Sequence, residues 1–487
     1  MSSHLVLLAL AFVLVTAVCP PDSPVTADIH AVGCVDLRLT VAAENVTLVI
    51  EDATGSIKVT SEAVGTTLRL LDSTVTGSLT LSGQHAFADI RRSTVTGGDV
   101  VVLSGARNVT IAVVDSTLTG AVVASVLSSA VGASLTIANS TLNATRYAAS
   151  VVGATIRDVV VVVADSCLTL AGGHNVGVVA LAAVSVTNAA VNVTASSITC
   201  TAGNSVGVLG AGSSGIVSWT NVTVSAAFAN VTSTAGTYVG VLGSGSYGGV
   251  TWTNVTVSAA LSNITSIASD RVGVLGAGSY GSVSWTNVNV SAALANVTST
   301  AGDSVGVLGA GSGTDTVSWT NVTVSAALAY VVSTAGGAVG VLGAGSNSDV
   351  SWTNVAASAA LATITSTAEA AVGVLGAGSG DEVGWTNVTI SVMLANVTST
   401  AGERTGILGA GSLGSAAWTN VTVSATLANV TSTAGNYVGV LGAGSNSGTT
   451  WTNVTVSAAL ANVTSTATGA VGVLGAGSTH GAVTWAN

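Results

Sequence analysis

Charge is what this chain most lacks. Only 6% of its 487 residues are Asp, Glu, Lys or Arg, against roughly a quarter in ordinary soluble proteins. The ten Lys and Arg, set against 21 Asp and Glu for a net charge of −11, cannot form a surface that neutralises a row of phosphates, so no nucleic-acid partner is expected. Proline is scarce too, at 3 residues. A disordered chain would be rich in charge and proline and poor in valine, the reverse of what is found here.

Catalytic groups are equally thin. The five histidines (His4, His30, His85, His174 and His480) neighbour no nucleophile or carboxylate pair. Adjacent acids occur as Glu51-Asp52 and Asp381-Glu382, and strand alternation would send the two members of each pair to opposite faces. The calcium-binding nonapeptide is absent, and no cysteine pair has metal-ligand spacing. No catalytic residue, cofactor or metal is therefore expected, and the chain does not read as an enzyme. Of the four cysteines, an oxidising compartment would permit Cys167–Cys200 or Cys19–Cys34 bridges. Buried or loosely paired thiols are the simpler expectation for all four.

The one long apolar run, Leu5 to Val18, is shorter than a membrane span. It reads as the hydrophobic part of a signal peptide over residues 1–17, with Val15 and Ala17 placed for cleavage after Ala17. No later apolar run is long enough to cross a bilayer, and the chain ends in mid-repeat at Asn487. Membrane association would then come only through a further C-terminal region or an uncleaved signal.

What the sequence does have is a repeat. Its tryptophans fall on one lattice, Trp219, Trp252, Trp285, Trp319, Trp352, Trp385, Trp418, Trp451 and Trp485, with a period of about 33 residues, within the range of solenoid and array units. The unit runs V-x-W-T-N-V-T-V-S-A-A-L-A-N-V-T-S-T-A-G-x-x-V-G-V-L-G-A-G-S and then a short variable linker. Residue type chooses the kind of array: there is no 3.6 period, while Val222, Val224, Ala226 and Phe228 alternate with polar neighbours as a strand requires. Four hairpin-linked strands of a propeller blade would need more turns than the unit offers. The predicted fold is all-β, a parallel β-solenoid with one coil per repeat.

Stacking each residue on its own copy explains the monotony, and it explains where charge is tolerated. Between 201 and 487 charged residues fall only in the two variable linkers, after Thr-Ala-Gly and before V-x-W; these should be solvated corners. Residues 18–200 repeat more loosely. Asp52, Asp72, Arg92, Asp115, Asn139 and Asp165 mark successive coils at a lengthening step, so the coil should widen along the chain from about 20 to about 33 residues. Residues 18–200 and 201–487 are read as irregular and nine-fold regular parts of one solenoid.

Four recurring features allow a functional and a structural reading. Gly-Val-Leu-Gly-Ala-Gly-Ser looks like a phosphate-cradling loop, yet it recurs without a following helix or a partner lysine, so a strand and tight turn is expected. Asn-x-Thr sequons recur twice per full repeat. Asn221, Asn254, Asn287, Asn321, Asn354, Asn387, Asn420 and Asn453 lie between two inward-facing runs and should form an amide ladder at a bend. Asn230, Asn263, Asn296, Asn396, Asn429 and Asn462, with Asn45 and Asn108 nearer the N-terminus, are open to glycosylation or to a ladder. A buried amide could not carry a glycan, so the two readings exclude each other at any one position. The nine tryptophans could be a carbohydrate-binding stripe but are expected as a stacked core column. Thr232 and Thr234, repeated at Thr298/Thr300 and beyond, could form an ice-binding array; an ordinary solvated wall is expected, since Ile267 and Val332 interrupt the pattern.

The signal peptide, runs such as Val113-Val114-Asp115-Ser116-Thr117-Leu118-Thr119, and the Asn-Val-Thr-Val-Ser units together resemble large kinetoplastid surface proteins of the dispersed-gene-family type. The resemblance implies an adhesin-like surface glycoprotein with membrane spans near the C-terminus, and this chain departs from it by showing no such span. The functional expectation is a secreted or cell-surface structural or adhesive glycoprotein whose partners are glycans, matrix or other surface proteins. The alternatives are a polysaccharide-acting β-helix with its site near Asp72, Arg91, Arg92 and Asp115, and an ice-binding protein.

Overall fold

A segment of Val, Thr, Ser and Ala without a helical period must pair its backbone groups with another strand. In a chain that repeats itself, the next copy is the natural partner. The computed structural model describes Thr16–Ala17 and residues 24–486, apart from scattered stretches of one to three residues. Among these it contains no helix, and the chain winds as a parallel β-solenoid that includes about 9 regular turns with coils of about 33 residues. Residue pairs with residue one period on: Trp219 with Trp252, Thr223 with Thr256, Val231 with Ile264.

Each regular coil has two walls. The tryptophan wall is a long strand such as Val217–Ala227, with Val217, Trp219, Val222, Val224 and Ala226 buried. Inward positions change phase between Trp219 and Val222, and Asn221 makes the change by adopting a left-handed backbone with φ 53°. Asn tolerates that conformation better than most residues. The threonine wall is the strand Asn230–Ala235, with Val231, Ser233 and Ala235 inward and Asn230, Thr232 and Thr234 outward, continued by the short strand Tyr238–Gly240.

Ala-Gly-Ser is not the tight turn that its glycines imply. It is a strand, and the nine copies, Ala211–Ser213 to Ala476–Ser478, form a third sheet. In Ala310–Ser312 and in the preceding Ser304–Gly306 every residue is buried. The two layers pack backbone against backbone. A Cβ on Gly306 would sit 1.9 Å from the carbonyl oxygen of Ala277 in the Ala-Gly-Ser strand of the preceding coil, and one on Gly311 would sit 2.3 Å from that of Val305. Glycine here is a packing requirement, because no side chain fits between the layers.

The narrow coils obey the same register. Thr54, Thr74, Thr94, Thr117, Thr141, Cys167, Ser197 and Asn230 stand over one another. The coil widens accordingly, as the growing separation between bonded partners on successive rungs shows: 20, then 23, 24, 26, 30 and 33 positions along the chain. Asp52, Asp72, Arg92, Asp115, Asn139 and Asp165 are all left-handed, with φ between 47° and 52°. The serine after each of the middle four is buried and links rungs. The Ser73, Ser93, Ser116 and Ser140 backbone N–H groups donate to the hydroxyls of Ser93, Ser116, Ser140 and Ser166 at 3.1 to 3.2 Å. Ser185–Thr194 pairs directly with Val217–Ala227, joining the two repeat types without a break.

The cysteines depart in part from the expectation of buried or loosely paired thiols. Cys34 is buried and disulfide-bonded; Cys19 and most of residues 1–17 lie outside the described residues. Cys167 is exposed and Cys200 buried, both unpaired. They stand on opposite faces of adjacent rungs, since Cys167 pairs with Ser197 and Cys200 with Leu170, which rules out a bridge between them. Burial pushes the Cys200 thiol up to about 12, so it stays protonated at any pH at which thiol reagents are used. In the folded chain at pH 8, Ellman's reagent is expected to titrate Cys167 quickly and Cys200 only after denaturant is added. Two fast equivalents would contradict the burial of Cys200.

Candidate recognition seam

Because the Val-Gly strand turns sharply back into the Ala-Gly-Ser strand, residues before the first and after the second return to one edge of the solenoid. Those flanking residues are the two variable linkers. The seam is best defined around Arg271. Its guanidinium carbon lies 5.6, 5.0 and 4.8 Å from the ring centres of Tyr238, Tyr247 and Tyr280. Tyr238 and Arg271 belong to the first linker of their coils, Tyr247 and Tyr280 to the second.

Tyr247 and Tyr280 stack at 5.1 Å and are 49% and 37% exposed. They present an aromatic edge to solvent, while the Arg271 side chain behind them is only 7% exposed. Asp303 accepts from Arg271 Nη2 at 2.9 Å, and Asp270 stands 3.7 Å from Nη1. Burial pushes the Tyr238 phenol up. Gly313 occupies the next rung after Tyr280; a Cβ there would lie 3.0 Å from Asp303 Oδ2 and 3.3 Å from Tyr280 Cδ2. Further along, Arg404 pairs with Glu403 at 2.6 Å with its side chain 11% exposed. The linkers are therefore not uniformly solvated corners: both arginines fold in against the coil, and their charge is matched by carboxylates. Asp315, Asp349, Asp381 and Glu382 make the middle of the seam acidic, with Asp349 Oδ1 accepting from the Glu382 N–H at 2.9 Å.

The tryptophans face inward. Trp219 through Trp451 are 2% exposed or less, and their rings stack at 4.5 to 5.1 Å with interplanar angles of 13° or less. Trp485 is 59% exposed and tilted by 50°.

Each amide of the Asn221 column donates Nδ2–H to Oδ1 of the rung before, at 2.9 to 3.0 Å from Asn221 through Asn254, Asn287, Asn321, Asn354, Asn387 and Asn420 to Asn453. The column extends one rung earlier, to Asn188, which the tryptophan lattice does not reach although it stands one full period before Asn221. Asn188 donates in turn to Asp158 Oδ1 at 2.9 Å. Asn230, Asn263 and Asn296 form a second ladder, as do Asn396, Asn429 and Asn462, at 2.9 to 3.0 Å. Tyr330 and Thr363 separate these two runs. Asn45 and Asn108 are exposed left-handed corners with φ 56° and 52°. Every one of these amides is exposed, so laddering does not bury the nitrogen, and the expected conflict between ladder and glycan does not arise from burial.

Asn354→Ala removes two ladder bonds and the residue type suited to φ 55°, and is expected to cost about 1–2 kcal/mol. Asn354→Gly keeps the backbone preference and should cost less. Denaturation midpoints check the order, and equal losses would show that the backbone conformation contributes nothing.

Asp72, Arg92 and Asp115 occupy the same corner of successive coils, and Arg91 lies one position before that corner. Arg92 grips Asp72 with two bonds at 2.6 and 2.7 Å, which holds the Asp72 carboxyl below its ordinary range. Arg91 bonds Asp89 at 2.8 Å from the adjoining wall. No family model, curated protein or solved structure matches the chain.

Proposed function

We propose that this protein is a secreted or cell-surface structural and adhesive repeat glycoprotein that meets its partners, whether glycans, matrix or other surface proteins, along the seam. One observation carries the reading. Within a coil the scaffold repeats almost letter for letter, and the variable positions of both linkers gather on a single edge. A surface used for recognition combines a constant frame with locally varied aromatic and charged side chains.

The test is a seam-blank variant. Tyr247, Tyr280 and Leu413, a second-linker residue 39% exposed, become serine and Asp315, Asp349 and Asp381 become asparagine, all in the linkers and none in the stacked core. Circular dichroism should be unchanged, while adhesion of the purified protein to cells or extracellular matrix falls severalfold. Unchanged adhesion with the fold intact would end the proposal.

A second reading rests on the threonine wall. Thr199, Thr232, Thr265 and Thr298 stand in one outward file, and Thr300, Thr334, Thr367 and Thr400 in the neighbouring one. Val332 and Ile267 each interrupt a file. Such an array could order water, and a thermal-hysteresis measurement decides it directly.

A further inference from the structure

We propose that the narrow N-terminal coils carry a second binding site, a furrow that takes an anionic oligosaccharide through Arg38 and Lys58. The site is separate from the seam and does not depend on it.

The threonine wall caves in where its backbone leaves the extended region. Asp36 has φ 57°, Gly55 φ 89° and Gly77 φ 148°. A Cβ on Gly77 would lie 1.6 Å from the Ile57 carbonyl oxygen, so bare backbone forms the floor. The resulting concavity, of about 850 Å³, is lined by Arg38, Lys58 and the hydroxyls of Ser56, Ser78, Thr60 and Thr80, with Asp36 at one end.

Arg38 and Lys58 are register partners on adjacent rungs, both exposed on the outer face. Like charges set directly opposite each other on neighbouring strands, about 4.8 Å apart, destabilise the pairing. Four arginines are neutralised by carboxylates, Arg91 by Asp89, Arg92 by Asp72, Arg271 by Asp303 and Arg404 by Glu403. Arg69, Arg107, Arg146 and Arg157 have no ion pair among the described residues, but none of them stands in register over a second cation as Arg38 does over Lys58. Among the described residues neither Arg38 nor Lys58 has an ion pair, and Lys58 is the sole lysine of the sequence. The acid of the furrow is engaged elsewhere, since Asp36 Oδ1 accepts from the Ser56 N–H at 2.7 Å. Two stacked cations facing an open groove are a site for an anionic group, which would relieve their repulsion.

The rest of the furrow selects the kind of anion carrier. Hydroxyls beside the cations match the hydroxyls of a sugar. Further along the axis, beginning at Gly97 on the rung over Gly77, lies a second concavity of about 570 Å³ whose lining includes Gly97, Gly120 and Ala144. Small residues there let the flat C–H face of a pyranose ring approach the wall. With only two cations and a net charge of −11, a long phosphate polymer would be repelled more than held.

The experiment titrates the full chain by calorimetry with three tetrasaccharides: a heparin fragment bearing sulfate and carboxylate, an oligogalacturonate bearing carboxylate alone, and a neutral cello-oligosaccharide. Binding of either anionic probe with little binding of the neutral one is the expected result, and the preferred probe identifies the group recognised. The exposed double variant Arg38→Ala, Lys58→Ala should weaken that binding at least tenfold, and Arg91→Ala, outside the furrow, should leave it unchanged. Three results would overturn the site: no binding of either anion, equal binding of the neutral sugar, or undiminished binding by a double variant whose circular dichroism is native.

Discussion

Gly340→Val is expected to abolish the packing of its coil and to cost more than about 4 kcal/mol, the range reserved for severe steric or burial defects. A Cβ at this position would lie 1.9 Å from the carbonyl oxygen of Ala310 and 2.6 Å from its nitrogen. Both atoms belong to backbone already paired within the inner sheet, so neither can move aside alone. Because a solenoid is stabilised coil by coil through nearest-neighbour contacts, the damage should be local, with fast amide exchange in the coils around residue 340 and slow exchange far from it. Gly384→Ala is the control. Nothing lies within 4 Å of a Cβ there, and removing a strand-interior glycine should leave stability unchanged or raise it by about 0.5–1 kcal/mol. If the two variants unfolded at the same denaturant concentration, the close approach of the inner sheet would be wrong.

Trp352→Ala is expected to be the next most damaging change. Its ring is fully buried and stacks on Trp319 at 4.8 Å and on Trp385 at 5.0 Å. Deleting a buried tryptophan costs about 3–5 kcal/mol through lost burial and the cavity left behind, and each lost stack adds about 0.5–1.5 kcal/mol. Two neighbours then face a void that the fixed rung spacing prevents from closing. Trp485→Ala, at an exposed and tilted ring, should cost less than about 1 kcal/mol. Urea denaturation followed by tryptophan fluorescence separates the cases, and similar losses at both sites would mean that the column is not a core.

These features differ in how far they were legible before any coordinates. The all-β solenoid, its one-coil repeat and the inward and outward faces follow from the tryptophan lattice and from alternation in segments such as Val222-Thr223-Val224. Both signals are local and survive in one dimension. The left-handed corner at Trp-Thr-Asn was legible for a similar reason, because it places a tolerant residue where the alternation changes phase. The Asp-Ser-Thr runs marked the coils but did not announce a left-handed backbone, least of all at Arg92. The inner sheet was not. Its Ala-Gly-Ser strands are very short and carry almost no apolar side chain, so pattern alone reads them as turns; what fixes them is backbone contact with a strand that precedes them in the coil. The seam was half legible. Variation was visible in both linkers, but their meeting depends on that sharp reversal, and nothing in Arg271 or Tyr280 announces the other. The furrow was missed because its register, Arg38 over Lys58, needs the bulge at Val35 to Leu37, which shifts the pairing by one position relative to a plain strand.

The change in coil size has a consequence for how such a molecule can vary. From Arg92 to Asp165 successive turns differ in perimeter, so each fits only its own two neighbours, and duplicating or losing one would leave a step in girth. From the first Ala-Gly-Ser strand onward the perimeter stays at 33 or 34 residues and the paired surfaces of successive turns are nearly interchangeable. Copies can therefore be gained or lost by recombination between near-identical units. Each event would alter the reach of the rod by about 4.8 Å and leave its tapered base, and whatever that base holds, untouched.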